Sequence, residues 1–139
     1  MRVTSKSITL SVAGQEASFR LRLMDAFTGA WLLKLLLEKL LPFLSSSDPE
    51  TIEKELAEHL PALLSSLSEQ DLRELMTRCL NHVDRMLPSG PQPVMLRSSF
   101  GIPELEQDTV TCLSLCLEEI FFNLEGFFPE SVSPSEKVP

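Results

Sequence analysis

The sequence predicts an α+β fold, predominantly α-helical, in which an N-terminal β-hairpin over residues 7–23 packs on a bundle of about four helices. Three observations carry this. Apolar and polar residues alternate at period two through Ser7–Val12 and again through Ala17–Leu23, the spacing of half-buried strands. After Asp25 the apolar residues recur at helical spacing in four segments, about 26–44, 49–64, 69–87 and 105–125. The 139 residues are 43% hydrophobic with a mean hydropathy of +0.08, enough to bury a core within a single domain over residues 1–128.

In the hairpin, Ile8, Leu10 and Val12 alternate with small polar residues, Ala13 and Gly14 supply the turn, and Ala17, Phe19 and Leu21 resume the pattern. Asp25 stands where an N-cap belongs, ahead of the most apolar helix of the chain. At 100° per residue, Leu32, Leu33, Leu36, Leu37, Leu40, Phe43 and Leu44 make one broad face, with Trp31 and Leu35 lying off it. A helix this apolar around its circumference is either the central helix of the domain or offers a second face to a partner. It does not span a membrane: Lys34 would sit near the bilayer centre, and Pro42 interrupts the last turn.

Asp48-Pro49 starts the next helix after the serines at 45–47, and Pro61 should end or kink it. Ser68 with Asp71 caps a third helix, whose stripe is Leu72, Leu75, Met76, Cys79, Val83 and Met86 and which stops at Pro88-Ser89-Gly90-Pro91. The segment 88–103 is irregular, with a short edge strand expected at Val94–Leu96. In the last helix Leu113, Cys116, Leu117, Ile120, Phe121 and Leu124 face inward. Gly126 is the expected C-cap, with Phe127-Phe128 folding back on it. Residues 129–139 are polar and proline-rich, a disordered C-terminal tail.

A net charge of −8 and a pI near 4.7 disfavour nucleic acid and anionic membranes as partners. The charge is uneven: residues 1–25 carry a net +2, whereas Glu104–Glu125 holds six acids and no base, the pattern of a solvated acidic helix face. Three cysteines and no signal-peptide pattern point to free thiols in a reducing cytoplasm.

Chemistry-bearing motifs are sparse. Cys79 and His82, with Cys112 and Cys116, have the ligand types of a tetrahedral zinc site, but Cys79 and Cys116 occupy apolar stripes, where free cysteine acts as a small hydrophobe. No nucleophile elbow and no phosphate-cradling glycine loop is present, and His59 and His82 lie among charges on helices. The expectation is therefore no enzyme, no metal and no cofactor, and instead protein–protein interaction.

The chain resembles the tail assembly chaperones of long-tailed bacteriophages. The likeness lies in FRLRLMDAFTGAWLLKLLLEKLLPF, with Gly29, Leu32, Leu33 and Pro42 as in the family's run, in the polar–aromatic junction Arg97–Phe100, and in the ending IFFNLEGFF. It spans most of residues 8–128 and departs from the family where Leu124, not an aromatic residue, follows Asn123. The resemblance implies a non-enzymatic cytoplasmic protein of phage or prophage morphogenesis, absent from the mature virion. Its partners would be the tape measure protein, which it keeps soluble, and the tail tube protein, which it helps recruit, with self-association a further expectation. A secretion-effector chaperone and a structural tail or scaffold subunit are the alternatives. Trp31, Leu35, Phe122 and Phe128 are the expected partner-binding residues, because each lies off the main apolar stripe of its helix.

Overall fold

The computed structural model describes residues 3–43 and 49–127. Its elements run β1 (Ser5–Val12), β2 (Gln15–Arg22), α1 (Ala26–Leu40), α2 (Pro49–Glu58), α3 (Leu60–Ser66), α4 (Glu69–Leu80), β3 (Val83–Leu87), β4 (Gly90–Pro93), β5 (Met95–Leu96), β6 (Ser99–Phe100) and α5 (Thr109–Phe127). The architecture is α+β, as the sequence predicts. The expected hairpin is β1–β2, closed by a two-residue turn in which Ala13 and Gly14 both take positive φ, 53° and 81°, the backbone that matches strand twist.

The hairpin is half of a larger sheet. Four antiparallel strands lie in the order β1-β2-β3-β4, with β5 and β6 forming a separate ribbon. The helix expected over 69–87 therefore ends early, and its Val83 and Met86 belong to a strand. Asn81 stops α4: its amide nitrogen donates to Thr77 O at 2.7 Å and to Arg97 O at 2.9 Å, while its oxygen accepts from Arg97 N at 2.8 Å. Beyond it Val83 pairs with Leu21, and Asp84 faces Arg20. Arg20 Nη2 and Arg22 Nε donate to the buried Asp84 carboxylate at 2.9 and 3.0 Å, so a charge that would be costly to bury alone is matched.

The other boundaries move for local reasons. The segment 49–64 divides into α2 and α3 at His59, with Pro61 in the first turn of α3, where its missing N–H costs nothing. The last helix starts at Thr109, capped by Asp108, which accepts from Thr111 N at 3.1 Å and Thr111 Oγ1 at 2.8 Å. It runs past Gly126, which is therefore not its C-cap. A Cβ there would lie 3.3 Å from Leu23, so glycine lets the β2–α1 junction approach the helix. The loop at 45–47, Asp48, Phe128 and the tail 129–139 lie outside the described residues.

Two apolar clusters make the core. The first holds Phe19, Leu21, Val83, Leu105, Leu115 and Phe122, between the sheet and α5. The second holds Leu32, Leu35, Leu36 and Leu40 of α1, Leu56, Leu60, Leu63 and Leu75 from α2, α3 and α4, and Cys116, Ile120 and Leu124 of α5. Helix α5 thus contributes to both clusters and is the central helix. Helix α1 covers one side and keeps an outer face. Among the described residues no helix is long and apolar enough to cross a membrane.

Candidate functional site

Helix α1 begins where Asp25 accepts from Thr28 N at 3.1 Å and from Thr28 Oγ1 at 2.7 Å. Those two bonds favour the carboxylate and hold the Asp25 pKa below its ordinary value. From this cap the helix turns Gly29, Leu32, Leu35, Leu36 and Leu40 inward. Ala26, Phe27, Ala30, Lys34 and Glu38 are exposed, Leu33 and Leu37 are half-buried, and Leu41 just beyond the helix is exposed. Phe27 is 88% and Leu41 62% accessible.

The outer arc forms two shallow, connected depressions. One is lined by Leu23, Met24, Ala26, Gly29, Ala30, Leu33, Asn123 and Gly126. The other continues along Ala30, Leu33, Leu37 and Leu41, with Lys34 and Glu38 beside it. The last two form an exposed ion pair at 3.6 Å that keeps the polar flank narrow. The result is an apolar strip along the full length of one helix.

Of the four residues expected to face a partner, Leu35 and Phe122 do not lie on the surface. Leu35 sits in the helical core and Phe122 between sheet and α5, at 9% and 5% accessibility. The cause is rotational. The buried arc of α1 centres near Leu32 and Leu36 with Leu35 included, so Leu33 and Leu37 turn outward instead. Helix α5 shows the same exchange: Phe122 is buried and Phe121 is 39% exposed. Trp31 is half-buried under the Arg78 guanidinium, 4.3 Å from the ring centroid, and ties α1 to α4. Phe128 lies outside the described residues.

A buried polar clasp fixes the inner end of the strip. Met24 N donates to Asn123 Oδ1 at 3.0 Å, and Asn123 Nδ2 donates to Glu119 O and to Glu119 Oε2, both at 2.8 Å. Glu119 is fully buried, and desolvation pushes its pKa up to about 9, so it is a neutral acid at neutral pH. The sequence places it on a solvated acidic face. The available signal was its spacing of four from Asn123, the separation at which helix side chains meet.

The four zinc-type residues do not converge. Cys79 and Cys116 share the helical core, Cys112 lies in the other cluster and donates to Leu105 O at 3.2 Å, and His82 Nδ1 contacts Arg78 O at 2.8 Å. Among the described residues no group of three or more His, Cys, Asp or Glu side chains could hold a metal ion. Burial, together with the neighbouring Asp108 and Cys116, pushes the Cys112 thiol up to about 11. Cys79 is raised by its hydrogen bond to Cys116 and by burial.

A family model described as phage tail assembly chaperone protein, TAC, matches residues 15–135. No curated protein and no solved structure matches the chain.

Proposed function

The chain belongs to the phage tail assembly chaperone family, and on that premise we propose that it binds the tape measure protein of a long-tailed phage or prophage through the outer face of α1. In this reading it is a non-enzymatic protein of the host cytoplasm that keeps its client soluble, helps recruit tail tube subunits, and is left out of the finished virion. The observation that carries the reading is the apolar strip of Ala26, Ala30, Leu33, Leu37 and Leu41. An amphipathic client helix laid along it exchanges two water-exposed apolar faces for one contact, the helix-in-groove mode of recognition. Each large side chain fully covered contributes roughly 1.5–3 kcal/mol before ordering costs. The net charge of −8 keeps the loaded chaperone soluble.

The test is co-expression of the tagged chain with the tape measure and tail tube proteins encoded beside it, followed by pull-down and mass spectrometry. Wild type should retain both. Leu33→Glu and Leu37→Glu should lose the tape measure protein while their circular dichroism and thermal melts stay at wild-type values. Retention of the client by both variants would refute the assigned face, and absence of a tape measure protein from the wild-type eluate would refute the function.

A further inference from the structure

β1 is an outer strand of the sheet, and among the described residues nothing pairs with its free edge. Leu23 N donates to Thr4 O at 3.0 Å, which fixes the alternation of the ladder. Counting from that pair, Lys6, Ile8, Leu10 and Val12 bond to β2, and Ser5, Ser7, Thr9 and Ser11 turn their N–H and C=O groups outward. All four outward residues are exposed. The opposite edge is protected: β4 holds Pro91 and Pro93 within four residues and lacks their donors. β1 has no proline, and its register to β2 runs unbroken over eight pairs.

We propose that β1 pairs antiparallel with β1 of a second copy of this chain, joining two four-stranded sheets into one. The strand is complementary to itself. In a two-fold register centred on Ile8, Ser7 stands opposite Thr9 and Ser5 opposite Ser11 of the other chain, so outward groups meet outward groups. Ile8 meets Ile8 at a non-hydrogen-bonded position, where Cα atoms approach to about 4.5 Å. Ile8 and Leu10 are already half covered by the sheet–α5 core, so the contact extends that core across the seam. Lys6, the only charge on the strand, falls opposite Leu10, and no like charges oppose each other between two chains of net −8. The tail is a poor competitor for this edge, because Pro129 and Pro134 interrupt it.

Sedimentation of the full chain over a concentration series tests the assembly. A reversible dimer is expected. Thr9→Pro removes an outward N–H that the hairpin does not use, and should raise the dissociation constant more than about tenfold with the circular dichroism unchanged. If that variant fails to fold, the double variant Ser7→Lys with Thr9→Lys decides, since it sets like charges directly across the seam and should give the same loss. Ile8→Cys should form a covalent dimer on treatment with oxidised glutathione, and Lys6→Cys should not. A wild-type chain that stays monomeric up to about 1 mM overturns the proposal. So does a dimer that survives both the Thr9→Pro and the double lysine substitutions.

Discussion

Replacing Glu119 with glutamine should stabilise the protein by an amount that grows with pH. Glu119 is fully buried on α5, shares one oxygen with Asn123, and has no partner for Oε1 among the described residues. Burial is the leading cause of its raised pKa. The Asn123 hydrogen bond and the Arg22 charge oppose the rise, and neighbouring Cys116 adds to it. The folded state therefore holds a proton that the unfolded chain releases above a pKa of about 4.5, and keeps it until about 9. Stability from this group is full below the unfolded value and is lost as pH rises towards the folded one, at about 1.4 kcal/mol per pH unit. Between about pH 5 and pH 8 the loss is on the order of 4 kcal/mol, against a total stability of about 5–15 kcal/mol for a typical domain. Glutamine keeps the shape and the acceptor for Asn123 but does not titrate. Urea unfolding followed by circular dichroism at several pH values gives the difference between variant and wild type, in which every other carboxylate cancels. Asp25, whose lowered pKa acts in the opposite direction, cancels with them. A difference that stays flat within about 0.5 kcal/mol across that window would refute a buried neutral Glu119.

Two further outcomes follow from burial. Leu35→Glu and Phe122→Glu should unfold the chain and not merely cost it a partner, because each would place a carboxylate in a core with no cation to meet it; a melt at the wild-type temperature would restore them as surface residues. The thiols of Cys79 and Cys112, both raised, should react with a thiol reagent at neutral pH only as fast as the chain unfolds, so that urea accelerates labelling; fast labelling of the native protein would contradict their placement.

The elements that could be read from the sequence are those whose signal is local. The β1–β2 turn is written in Ala13-Gly14, the start of α1 in Asp25, and the start of α4 in Ser68, whose side chain accepts from Asp71 N at 3.1 Å. What could not be read depends on distant partners. Val83 and Met86 sit three apart and fit a helical stripe as well as a strand; only β2, more than sixty residues earlier, decides for the strand by pairing Leu21 with Val83 and Arg20 with Asp84. Asp84 and Glu119 look alike in sequence, each an acid beside one charged neighbour in an otherwise apolar run. Asp84 is buried with Arg20 and Arg22 paired to its carboxylate, whereas Glu119 is buried neutral, with no cation in an ion pair to it among the described residues.

The same limit explains why Leu35, expected at the surface of α1, lies in the core. A helix with leucine at 32, 33, 35, 36, 37 and 40 has so little polar contrast that its sequence fixes neither its inner direction nor its outer one. Packing of α3 and α5 against it selects Leu32, Leu35, Leu36 and Leu40 for the core. Leu33 and Leu37 then turn away from that cluster and stay half-buried on the outer face. Had α1 been a simple amphipathic helix, positions 33 and 37 would carry charges, as 34 and 38 do, at no cost to the core. Leucine there adds nothing to the buried clusters and exposes apolar surface in a chain otherwise well supplied with acids. That surplus is the surface on which the proposed function rests, and the Leu33→Glu and Leu37→Glu variants test it apart from folding, as substitutions at the buried Leu35 cannot.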